Sequence, residues 1–307
     1  LLRLRSQPTQ QLEAAEPMPE GGWLWVDDGV VDLAGTPPAR VALALALEAA
    51  LAIANGGRPG TRLLDWLGAL PDEPLRWNPE ATSRFFEALL RGNERTWRFL
   101  ETSGVLERAL PELADAVRRR RADPHVLDPG QVLRFELVEQ IRETVRSDPE
   151  AAAAQHRLEH PEWLLLAALL LETAGQDAEP VAVARRLVQR LDLGAAAEQE
   201  IAVLVGDSGL LRAASGRVGG ADEESVLQLD VHLEPAERTR ALYIFSLALR
   251  ELDPVERARL DELVELVLAA LEHPELTGLE ARNLIEQRRA EAMRRAHGDA
   301  RDRTSVV

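Results

Sequence analysis

Four short stretches punctuate this chain and constrain its fold more than anything else in it: "WNPEA" (77–81), "LDPGQ" (127–131), "SDPEA" (147–151) and "LDPVE" (252–256). Each sets Asn or Asp directly before Pro. That is an N-cap followed by proline at the first helical position, where the missing N–H costs nothing. Helical spacing follows. In "VERARLDELVELVLAALEH" the residues Leu260, Leu263, Val264, Val267, Leu268 and Leu271 share one face. From Thr36 onward the chain reads as about a dozen helices, with no fixed period, so a solenoid is not expected.

Strand signals are confined to "GGWLWVDDGVVDLAG" (21–35), where two short apolar runs flank Asp27-Asp28-Gly29. This predicts a small β-hairpin with Trp23 and Trp25 on one face. Residues 1–20 read as a linker or tail, and the three prolines of "PDEPLRWNP" place a break near residue 75. The expected organisation is a hairpin plus helical arm (21–75), a helical domain (76–298) and a C-terminal tail (299–307). The chain opens "LLRLRSQ" without methionine and reads as part of something longer.

Composition narrows the chemistry. There is no cysteine, which excludes disulfides and thiolate metal sites. All 36 basic residues are arginine, and the net charge of −16 argues against nucleic acid as a ligand. No apolar stretch reaches a membrane span of about 20 residues; the nearest, "RVALALALEAALAIANG" (40–56), is interrupted by Glu48 and ends in a glycine-rich turn. A cytoplasmic protein is expected. There is no P-loop, and no lysine to serve one. No G-x-S-x-G elbow appears either.

Several segments, in order, resemble the central region of the bifunctional uridylyltransferase/uridylyl-removing enzymes that modify the nitrogen-signalling PII protein. They are "FLETSGVLERALPEL" (99–113), "LDPGQVLRFELVEQI" (127–141), "PEWLLLAALLLETAGQ" (161–176), "VARRLVQRLDLGAAAEQEIAVLVGDSGLLRAAS" (183–215) and "RTRALYIFSLALREL" (238–252). The resemblance implies an all-α, HD-like helical bundle behind the short N-terminal hairpin. In active HD domains imidazoles and carboxylates from separate helices hold divalent metals, which polarise a phosphate and activate water.

At every position where the resemblance predicts a ligand, this chain departs from it. The first histidine falls near Gly130 and Gln131, and the His-Asp pair on Leu171-Glu172. A further histidine is missing from "QDAEPVAV" (176–183). The later histidine pair falls on Gly206, Asp207 and Ser208, and the closing aspartate on Leu249. The nucleotidyltransferase signature, a Gly-Ser turn before paired aspartates on a strand, is absent, so any such domain lies upstream. The resemblance therefore implies a degenerate, non-catalytic HD-like scaffold with no cofactor. Its partner would be a signalling protein, an upstream domain or another copy of the chain, with neither nucleic acid nor membrane involved.

The rival expectation is a metal-dependent phosphohydrolase. Asp128, Glu172 and Asp207 would hold Mg²⁺, Mn²⁺ or Ca²⁺ through oxygen alone, converging within about 5 Å of one another. Each has a plainer reading: Asp128 as an N-cap, Glu172 at a helix end facing water, Asp207 in a Gly-Asp-Ser-Gly turn. His156 and His160 have i, i+4 spacing, but Pro161 marks a helix end there. Arg118, Arg119, Arg120, Arg121 and Arg134 are the candidates for an anion site; on a helix, four successive arginines spread around the circumference and read first as a solvated face. A third expectation, an unrelated helical adaptor, gains weight if the helices containing 131–145, 164–175, 198–212 and 238–250 do not meet around one centre.

Overall fold

A computed structural model describes residues 22–122, 135–173, 180–216 and 233–273, with single positions at 229, 280, 283 and 287. The protein is mostly helical, with a three-stranded sheet near its N-terminus. It divides into two compact units, residues 1–134 with 189–192, and residues 135–188 with 193–307. The division falls after Arg134, not near residue 75. The central helix of the segment before residue 75 shares a core with the helices that follow it.

In the first unit, β1 (Leu24–Asp27) and β2 (Val30–Leu33) form the expected antiparallel hairpin, with Asp27 opposite Val30. Asp28 (φ 46°) and Gly29 (φ 72°) occupy the turn, the left-handed pair that a two-residue type I′ connection requires. The two tryptophans part company. Trp23 is buried, whereas Trp25 on the edge strand is 40% exposed and donates its indole N–H to the Leu33 carbonyl (3.2 Å). A third strand, β3 (Arg58–Pro59), pairs parallel with β2.

Helix α1 (Ala42–Ala54) is buried on nearly every side, as its unbroken apolar sequence demands. It packs against α3 (Pro79–Arg91), α4 (Glu94–Thr102), α5 (Val105–Ala109) and the sheet. Helix α2 (Thr61–Ala69) packs on β2, and α6 (Pro111–Ala122) on α5. The start of α2 is capped from outside its own sequence. Its N-cap is Gly60, which has no side chain, and the buried Asp32 of β2 accepts from the Leu63 amide (2.8 Å) and from Leu33 (2.9 Å). A Cβ on Gly60 would stand 2.3 Å from Asp32 Cγ, so glycine here makes room for the cap.

The second unit holds α7 (Glu136–Ser147), α8 (Pro149–Gln155), α9 (Pro161–Thr173), α10 (Pro180–Arg190, whose last two residues group with the first unit), α11 (Gly194–Gly206), α12 (Leu210–Ser215), α13 (Ala236–Ala248) and α14 (Pro254–Glu272). Four of these close a circuit: α7 packs on α9, α9 on α11, α11 on α13 and α13 back on α7. Helices α9 and α13 also touch across it. Both are buried along most of their length, with Leu164 through Leu170 and Thr239 through Ser246 shielded from solvent; that is the expected state of the apolar run in α9, whereas α13 buries Arg240 in an ion pair with Glu272. Three of the four predicted Asn/Asp-Pro starts are helix caps: Asn78 accepts from Ala81, Asp148 from Glu150 and Ala151, and Asp253 from Val255 and Glu256. The fourth, Asp128, lies outside the described residues.

Candidate functional site

Glu172 is the polar residue best placed by the helical circuit, and it does not face water. It stands in the last turn of α9, and its Oε1 accepts from the Leu137 amide at 2.8 Å. Helix α7 needs that acceptor. Its own N-cap is Phe135, which offers no side-chain oxygen, and the first amides of a helix have no partner inside it. A carboxylate there also meets the positive end of the helix dipole. So Glu172 caps a neighbouring helix. The preceding Leu171 is half-buried.

The other positions of the implied metal site do not gather around Glu172 as ligands. Asp207 is the C-cap of α11, where its amide donates to the Val203 carbonyl (2.8 Å). With Arg185, Glu198 and Gln199 it borders an open groove of about 500 Å³ between α10 and α11. Leu249, at the place of the closing aspartate, is the C-cap of α13 and is 38% exposed. Asp128 lies outside the described residues. Among the described residues no group of three or more His, Asp or Glu is placed to hold a metal ion.

The two histidines are not on one helix. His156 is the C-cap of α8, while His160 precedes α9, stacks on Trp163 (centroids 4.0 Å apart) and pairs with Glu162 (Nδ1 to Oε1, 3.0 Å). Of the arginine candidates, Arg118 is exposed and paired with Glu107 (2.6 Å) and Asp115, the solvated arrangement expected of a charged helix face. The side chains of Arg119, Arg120 and Arg121, and the whole of Arg134, lie outside the described part.

Among the described residues there is a polar cluster that sequence reasoning missed. Asp148, Tyr243, Arg257 and Asp261 join α8, α13 and α14. Arg257 donates through Nη1 to Asp148 Oδ2 (2.6 Å), through Nε to Asp261 Oδ1 (2.8 Å) and through Nη2 to the Tyr243 hydroxyl (2.9 Å). Tyr243, the only tyrosine in the chain, donates in turn to Asp261 Oδ1 (2.7 Å). Burial pushes the Tyr243 hydroxyl up, and the neighbouring Asp261 carboxylate pushes it further, so it stays protonated. The Arg257 guanidinium is raised, chiefly by its hydrogen bond to Asp148, with burial opposing and Asp261 adding to the rise. Partial burial works to raise the Asp148 carboxyl. The hydrogen bonds from Arg257 and from the Ala151 and Glu150 amides outweigh it and hold the carboxyl below its usual range. One signal was available: Arg257 and Asp261 are four residues apart on a predicted helix. The cluster is a part-buried clasp between helices, its charged and hydroxyl groups bonded to one another.

No family model matches this chain, and no curated protein or solved structure is significantly similar to it. No helix among the described residues is long and apolar enough to cross a membrane. What the fold defines is a mostly helical protein with a small N-terminal sheet.

Proposed function

We propose that the helical region is an HD-like domain whose metal site has been lost, and that it acts as a regulatory or protein-binding scaffold in a PII uridylyltransferase-related protein. The observation that carries the reading is the position of Glu172. It falls where the resemblance puts a ligand pair, at the end of a helix in a four-membered circuit, yet its carboxylate caps α7. The closed circuit of α7, α9, α11 and α13 favours this reading over an unrelated adaptor. Scaffolds outlast the chemistry they once carried because fold and function are separable. The link to nitrogen signalling rests on the resemblance alone.

A hydrolase that used carboxylates alone would need further ligands gathered beside Glu172, and among the described residues no such group is found. The test is turnover. Purified protein is incubated with Mn²⁺, Mg²⁺ or Fe²⁺ and a chromogenic phosphodiester. Hydrolysis at the rate of the metal blank is expected. Metal-dependent hydrolysis that Glu172→Ala abolishes would overturn the proposal.

A further inference from the structure

The end of α1 carries a reactive step that neither the helical circuit nor the Asp148 clasp uses. Asn55, the C-cap of α1, is followed by Gly56, the only Asn-Gly step in the chain. Both residues are exposed, and among the described residues the Asn55 carboxamide has no hydrogen-bond partner. The chain is held on either side of this step. Asn93 Nδ2 donates to the Ala54 carbonyl (3.1 Å) and Arg95 Nη2 to the Gly57 carbonyl (3.3 Å). Between those anchors Gly56 has φ 105°, and a Cβ built on it meets nothing within 4 Å. Other asparagines are placed differently. Asn78 accepts from the Ala81 amide (2.8 Å), and Pro79 after it has no N–H. Asn93 accepts from the Arg95 amide (3.0 Å) while its nitrogen holds Ala54, so its carboxamide is bonded at both ends.

We infer that Asn55 is a site of spontaneous covalent modification, converted through a cyclic imide to aspartate and isoaspartate. Asparagine is among the thermolabile side chains, and a following glycine leaves the attacking nitrogen unshielded. The Gly56 nitrogen attacks Asn55 Cγ. The N–Cγ bond forms, the Cγ–Nδ2 bond breaks, and ammonia leaves with the amide proton. Water then opens the ring. Cleavage of the new N–Cγ bond leaves aspartate; cleavage of the original N–C bond leaves isoaspartate, with the chain routed through Cγ. In the closed turn the Gly56 N–H donates to the Ile53 carbonyl (3.1 Å) and Asn55 has ψ 15°, so the last turn of α1 must open before the ring can close. Helix ends lie at the low end of local opening free energies, so folding slows the reaction without preventing it. The products differ in effect. Aspartate adds charge at the negative end of the helix dipole. Isoaspartate also lengthens the backbone beside Gly57, where an added Cβ would stand 2.7 Å from Val31 Cγ2 and 2.9 Å from the Ala52 carbonyl oxygen. It therefore disturbs the return of the chain from α1 into β3.

The test ages the full chain at physiological temperature, at about pH 7 and about pH 9, beside Asn55→Gln and a free peptide of residues 51–61. Digestion and mass spectrometry follow each asparagine, since exchange of the amide for a carboxyl raises the mass by about 1 Da. Two products of equal mass are expected at Asn55, formed faster at the higher pH because the attacking nitrogen must lose its proton. Asn78 and Asn93 should stay intact. The rate should lie between that of the peptide and about one-hundredth of it, the range of a helix end that opens readily. Aged wild type should melt at a lower temperature than fresh protein, whereas Asn55→Gln, whose longer side chain would need a larger ring, should show no such shift. An Asn55 rate below about one-hundredth of the peptide's would overturn the inference. So would aspartate as the single product, which would mean direct hydrolysis, or equal conversion at Asn78 or Asn93.

Discussion

Asp148→Asn isolates the charge in the interhelical clasp, because asparagine caps helices about as well as aspartate. The variant keeps an oxygen for the Glu150 and Ala151 amides that start α8, and loses the ion pair to Arg257 at 2.6 Å. The side chains of Arg257 and Asp148 are 28% and 22% exposed. The pair therefore falls between a surface ion pair, worth at most about 1 kcal/mol, and a charged hydrogen bond inside a protein, worth roughly 1.5–3 kcal/mol. A loss of about 1–2 kcal/mol is expected at pH 7, read as a fall of about 0.5–1 M in the urea midpoint. The pH dependence carries the sharper test. A carboxyl held below its usual range contributes stability that is fully present above the ordinary carboxylate value, about 4, and is lost as pH falls through the lowered, folded value. The midpoints of wild type and Asp148→Asn should therefore converge between pH 7 and pH 3. Urea titrations followed by circular dichroism at a series of pH values measure this. A gap of the same size at both ends, or no gap at pH 7, would refute the assignment.

Two further substitutions probe the capped start of α2. Asp32→Ala removes the acceptor of the Leu33 and Leu63 amides and should cost about 2 kcal/mol in urea denaturation; a change under about 0.5 kcal/mol, the size of an ordinary surface effect, would show that water replaces the carboxylate. Gly60→Ala drives a methyl to within 2.3 Å of Asp32 Cγ and should cost about 1–3 kcal/mol. Gly68→Ala, in the same helix with nothing within 4 Å of the new methyl, should instead stabilise by up to about 1 kcal/mol. Equal melting shifts for the two glycine variants would contradict the close approach.

What could be read from the sequence was what the chain decides locally. Asn78, Asp148 and Asp253 cap the helices that their prolines announce, because cap and helix are neighbours in sequence. The Asp28-Gly29 turn is legible for the same reason. The strand β3 was not, since two residues carry no periodicity and gain their partner only when the chain returns to β2. The Asp32 cap joins residues 31 apart, and Arg257 meets Asp148 across 109. Glu172 shows how the same limit reaches the candidate site. Its place at a helix end was legible, but not its direction, because the amide that attracts it belongs to another helix, 35 residues earlier. Prolines mark where a helix stops, not where a core ends: the segment before residue 75 packs through α1 on α3 and α4, and the compact units divide after Arg134.

Metal content tests most directly the proposal that this helical circuit has lost a metal site. The protein would be incubated with Mn²⁺, Fe²⁺, Mg²⁺ and Zn²⁺, desalted, and assayed by inductively coupled plasma mass spectrometry beside Glu172→Ala. Far less than one ion per chain is expected for each metal, with no difference between the two proteins. Stoichiometric metal in the wild type that Glu172→Ala loses would contradict it and make the α9 carboxylate a ligand.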